Sequence, residues 1–93
     1  MREFIITCQC GGIDDKAKAG FSTLFPQAHM PEITRHKDIH KLVQSLPRDW
    51  QFSMYVADNL IKNKEKFAYY FLVDDKGFIV KIYNLLTGKR VVS

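Results

Sequence analysis

The chain has 93 residues, 46% hydrophobic and 26% charged, with a formal net charge of +4 and a pI near 9.2. That length holds one domain with one core, and the composition excludes a disordered chain. No apolar run approaches the roughly 20 residues of a membrane span, and the opening residues lack the apolar stretch and cleavage site of an export signal. A cytoplasmic, non-membrane α+β domain is therefore the expectation.

Arg2 to Cys10 reads as an opening strand, β-branched in its middle and ended by Gly11-Gly12. A helix follows, with Ile13, Ala17, Gly20, Phe21, Leu24 and Phe25 on one face, Asp14 and Asp15 in its first turn, and Pro26 as its stop. Residues 27–35 form a connection. Asp38 then caps a second helix, whose stripe is Ile39, Leu42, Val43 and Leu46 and whose stop is Pro47. Residues 50–63 fit two periods. Trp50, Phe52, Met54 and Val56 alternate like a strand, while Trp50, Met54, Ala57 and Ile61 align on a helix. Propensity favours helix over much of Ser53–Lys64, after a short extended lead-in.

The C-terminal third is a three-stranded antiparallel meander. Phe67–Val73 turns at Asp74-Asp75-Lys76-Gly77 into Phe78–Tyr83, which turns at Leu86-Thr87-Gly88-Lys89 into Arg90-Val91-Val92. Gly77 and Gly88 stand where tight turns want a left-handed residue. The Asp pair suits local hydrogen bonding in the turn. Both faces read as apolar: Phe67, Tyr69, Phe71 and Val73 on one, Ala68, Tyr70 and Leu72 on the other, with Phe78, Val80 and Ile82 opposing Ile79, Lys81 and Tyr83. Two or three short helices barely suffice to cover both faces. Either an aromatic-rich core fills the domain, or one face meets a partner or a second copy in a homodimer.

Four constellations invite chemistry. Cys8 and Cys10 share a strand face, and His36 and His40 stand four apart, which assembles the ligands of a zinc-stabilised Cys2His2 module. Against it, zinc pairs usually have two to four residues between the cysteines, and His40 lies beside the apolar stripe; buried thiols and surface imidazoles are the simpler account. Cys10 ahead of a helix start could be a nucleophile, but Asp14-Asp15 would raise its pKa. Gly11-Gly12 suits a turn better than a phosphate cradle, because no Lys-Ser/Thr follows.

The fourth is basic and aromatic. Lys62, Lys64, Lys66, Lys81, Lys89 and Arg90 flank a sheet carrying Tyr69, Tyr70 and Tyr83, where rings stack bases and cations neutralise phosphates. Edge protection and packing explain the same residues without a ligand. By halves the charge is even: residues 1–48 and residues 49–93 each carry seven Lys/Arg against five Asp/Glu.

With residues 50–56 as a strand, the order of elements resembles the RelE/ParE toxin superfamily. Lys66-Phe67-Ala68-Tyr69-Tyr70-Phe71-Leu72-Val73 and Gly88-Lys89-Arg90 then fall in the central sheet and at its end. The resemblance implies an endoribonuclease whose sheet-borne basic residues and tyrosine promote mRNA cleavage on the ribosome. Where that family commonly carries Tyr-Arg, this chain has Lys66-Phe67. The leading expectation is instead a non-enzymatic, cofactor-free binding or regulatory domain. It would act on an acidic protein surface or a nucleic acid through Tyr69, Tyr70, Lys81, Tyr83, Lys89 and Arg90.

Overall fold

The structure, a computed structural model, describes residues 1–8, 15–31, 39–46, 48, 50–60 and 66–92. In chain order these form β1 (Arg2–Cys8), α1 (Asp15–Leu24), α2 (Ile39–Ser45), α3 (Trp50–Tyr55) with a π-helical continuation (Val56–Leu60), then β2 (Phe67–Val73), β3 (Ile79–Asn84) and β4 (Lys89–Val92). The four strands make one antiparallel sheet in the order β1-β2-β3-β4. The α+β architecture expected from the sequence is the one observed, with the opening strand joined to the meander. Asp38 and Pro47, expected to bound α2, and Gly11-Gly12 and Asp14 lie outside the described residues.

The meander forms because its turns are satisfied locally. Asp74 Oδ1 accepts from the N–H groups of Lys76 and Phe78, each at 2.9 Å, and Gly77 takes φ 86°. Asn84 does the same for the second turn, accepting from Leu86 and Thr87, while Gly88 takes φ 71°. Such φ values strain any residue with a Cβ, which is why glycine holds both positions.

Two bulges set which side chains face the core. Leu72 opposes Lys81 but Val73 opposes Ile79, leaving Val80 as the extra residue; likewise Ile82 opposes Val92 and Tyr83 opposes Arg90, leaving Val91 extra. Simple alternation along Phe78–Tyr83 put Ile79 on the face away from Ile82. The Val80 bulge brings Ile79 back, and it packs against the core beside buried Ile82.

That core lies between one sheet face and the later helices. Phe4, Ile6, Cys8, Phe67, Phe71, Val73 and Ile82 meet Leu42 and Leu46 from α2 and its end, and Phe52, Val56 and Leu60 from α3 and its continuation. Leu42, Val43 and Leu46 of the α2 stripe therefore pack as their spacing dictates. In residues 50–60 the helix begins at Trp50 with no extended lead-in, and the buried set is Phe52, Val56 and Leu60 at i, i+4 and i+8. Trp50 and Met54, which also align at helical spacing, face out at 65% and 49% exposure. The sheet selects the face carrying Phe52, whose ring stacks on Phe4 at 4.5 Å and meets Phe71 edge-on at 5.0 Å.

Among the described residues, the fully buried side chains of the second sheet face lie on β1 and β2. Ile5, Thr7, Ala68 and Tyr70 are buried there, and Phe25, just after α1, stacks on Tyr70 at 4.3 Å. α1 contributes less than its periodicity implies, since none of its residues is fully buried and Leu24 is 70% exposed. Phe71→Ala or Phe52→Ala is expected to lower unfolding free energy by about 3–5 kcal/mol, whereas exposed Val91→Ala should change it by less than about 0.5 kcal/mol. Urea unfolding midpoints of the three variants measure this, and equal effects at core and edge would contradict the packing described.

Candidate functional site

Cross-strand partners share a sheet face, so the register sorts the six residues singled out from the sequence. Tyr70, Tyr83 and Arg90 form one row across β2, β3 and β4, with Leu72 and Lys81 as the adjacent pair on the same face. Tyr69, Asn84 and Lys89 form a row on the opposite, core-bearing face. Lys81, Tyr83 and Arg90 are thus brought together; Tyr69 and Lys89 face away from them.

The tyrosines differ in availability. Tyr69 packs against the core, its ring 5.9 Å from that of Phe67. Tyr70 is buried, covered by Phe25, and its hydroxyl donates to Glu3 Oε2 at 2.5 Å. Burial, and then this hydrogen bond to the carboxylate, push the Tyr70 phenol well above its ordinary value. Tyr55 is also raised, first by burial and then by the nearby Tyr69. Tyr83 is half-buried, 6.1 Å from Tyr70. Neither Tyr69 nor Tyr70 presents a free ring face of the kind a nucleobase stacks on.

The charge pattern is sharper than its even split by halves. Through Asp75 the chain carries ten Lys/Arg and ten Asp/Glu; the four cations that follow, Lys76, Lys81, Lys89 and Arg90, meet no Asp or Glu and make up the whole net charge of +4. Three of those four stand on β3 and β4. Lys89 and Arg90 are exposed and Lys81 is half-buried. A count divided at residue 48 averages this away, but a running count along the chain exposes it.

The two sheet edges are also unlike. β1 is partly closed by a parallel bridge to His29: Ile5 N–H donates to His29 O and His29 N–H to Glu3 O, both at 2.9 Å. Among the described residues β4 pairs with β3 alone.

Away from the sheet, Trp50, Met54 and Phe78 make an exposed apolar patch, with the Trp50 and Phe78 rings edge-on at 6.4 Å. Val43, Arg48, Trp50, Ser53 and Met54 line an open cleft of about 360 Å³ there. Sequence reasoning missed this patch because the periodicity that marks Trp50 and Met54 serves equally well for a core face.

Another cleft, about 570 Å³, is bounded by Arg2, Glu3, Phe4, Gln27, His29 and Ser45. The Ser45 hydroxyl there donates to Leu42 O at 2.8 Å. Thr7 is buried with its hydroxyl unpartnered, beside a smaller cleft shared with Asp15, Lys18, Met30 and Pro31.

For the zinc arrangement, Cys10 and His36 lie outside the described residues, and His40 is exposed. Cys8 is buried but is not the ordinary thiol expected: it is disulfide-bonded, which removes its sulfur from thiolate ligation while that bond stands. Among the described residues no group of three His, Cys, Asp or Glu side chains is placed to hold a metal, and no helix is long and apolar enough to cross a membrane. The RelE/ParE resemblance extends over most of the chain only with a strand at residues 50–56, and those residues are helical. No known protein family matches the chain, and comparisons with curated proteins and with solved structures find no similar protein.

The raised Tyr70 phenol carries a pH signature. Its neutral form is favoured by folding, so its contribution to stability is complete below the unfolded tyrosine pKa of about 10 and is lost as pH rises through the higher folded value. Wild-type stability should therefore fall above about pH 10, and Tyr70→Phe should flatten that fall while losing the Glu3 hydrogen bond at every pH. Unfolding midpoints taken up to that alkaline range test it; an unchanged slope in Tyr70→Phe would contradict the assignment.

Proposed function

We propose that this domain is a non-catalytic binding module for an acidic protein surface, engaged through β3 and β4. The observation that carries this reading is the confinement of the net charge to residues 76–93, with Lys81, Lys89 and Arg90 on two adjacent strands and no acidic residue among them. Confined charge of one sign favours a partner of the other sign, and it acts on encounter rate and specificity as well as on affinity. Around these cations, half-buried Tyr83 and Leu72 supply apolar contact of the kind found at the centre of protein interfaces.

A protein partner is favoured over a nucleic acid by where the rings lie. Single-strand binders stack bases on open aromatic faces beside cations. Here Tyr70 is covered by Phe25, Tyr69 is packed against the core and Tyr83 is half-buried, while the exposed rings, Trp50 and Phe78, precede β3 and meet each other edge-on. An exposed indole with Met54 beside it is a common composition for protein contacts.

Fluorescence anisotropy with a labelled glutamate-rich peptide and a labelled single-stranded RNA of equal charge tests this reading. The peptide should bind, and Lys81→Glu with Lys89→Glu and Arg90→Glu should weaken it tenfold or more, about 1.4 kcal/mol per tenfold. Reversing exposed Lys16 and Lys41 should leave binding nearly unchanged. Tighter binding of the RNA than of the peptide, or equal loss in the two sets of variants, would overturn the proposal.

A further inference from the structure

Resting on that reading, we infer that β4 is a docking edge: an acidic, extended segment of the partner adds to it as a fifth strand. The backbone argument comes from the two edges. A strand at the end of a sheet has a row of N–H and C=O groups facing away from its neighbour, and these accept another strand wherever nothing covers them. β1 spends part of its row on His29. β4 pairs with β3 through Tyr83–Arg90 and Asn84–Lys89, and among the described residues its other side meets no strand.

Charge then selects the occupant. Basic residues and bulges on an edge ordinarily deter a second copy from pairing there. Lys89, Arg90 and the bulged Val91 fit that role, since two such edges would bring like charges together. The same charges attract an acidic strand. Lys89 and Arg90 are consecutive, so they project to opposite faces of the sheet and would meet acidic side chains on both faces of the incoming strand. Half-buried Lys81 lies one strand further in, on the Arg90 face. Exposed Val91, at 46%, adds apolar contact next to the charged pairs. The recognised segment is short, because β4 has only four residues.

The decisive experiment uses a synthetic peptide with a central Glu-Glu pair flanked by valines, which puts carboxylates on both faces of the docked strand, in two N-methylated forms blocked at alternate amides. A docked strand turns every second N–H towards β4, so methylation in one alternation should weaken binding tenfold or more and in the other should leave it largely intact. Amide exchange on the labelled domain should show new protection confined to β4. Equal affinity of the two methylated forms, high or low, would overturn strand addition; if the unmethylated peptide binds well at the same time, the acidic-partner reading survives alone. Failure of the unmethylated peptide to bind would overturn both. A wild-type dimer whose β4 amides are protected without peptide would assign the edge to a second copy and overturn the inference.

Discussion

Burial of β2 on both of its faces is the constraint from which the rest of the structure follows. Phe67, Phe71 and Val73 point to the main core, while Ala68 and Tyr70 are buried on the other side. An antiparallel strand with one wet side needs cover from a single layer. β2 needs two layers as well as two strand neighbours. β1 and β3 supply the neighbours. α2, α3 and its continuation supply one layer, and on the other side Phe25, just after α1, stacks on Tyr70.

The helices are too short to extend both layers across the whole sheet, and their placement decides what is left open. Among the described residues, burial on the second face is complete on β1 and β2, at Ile5, Thr7, Ala68 and Tyr70, and partial on β3, at Lys81 and Tyr83. β3 and β4 are the strands that carry the excess of positive charge. Among the described residues, this region joins half-buried Lys81 and exposed Lys89 and Arg90 to a strand edge with no further partner strand.

Much of the fold was legible from local chemistry. The turns at Asp74–Gly77 and Asn84–Gly88 follow from residues that fix their own backbone, and the α2 stripe from a spacing that admits only one face. What was not legible depends on partners distant in the chain. Residues 50–60 offer two helical faces of comparable hydrophobicity, and only contact with Phe4 and Phe71 chooses Phe52 over Trp50. The bulges at Val80 and Val91 change which residues share a face, and no local pattern in Ile79–Asn84 announces them. The candidate site was half legible for the same reason. Lys81, Tyr83 and Arg90 were named and do converge. Tyr69 and Tyr70 are chemically suited to a surface, but the strand in which they sit is wrapped on both sides.

The segregation of charge has a consequence for how the molecule meets anything at all. If the charges through Asp75 cancel in space as they do in number, the excess on residues 76–93 makes the molecule an electric dipole with its positive end at β3 and β4. In the field of an acidic partner such a molecule experiences a torque as well as an attraction, and it turns before it touches. With a Debye length of about 8 Å at physiological ionic strength, that torque acts only in the last stretch of approach, over a distance shorter than the protein's own 12.2 Å radius of gyration. Orientation and capture would then be nearly one event, and the edge proposed to form the final contacts would also be the part that arrives first.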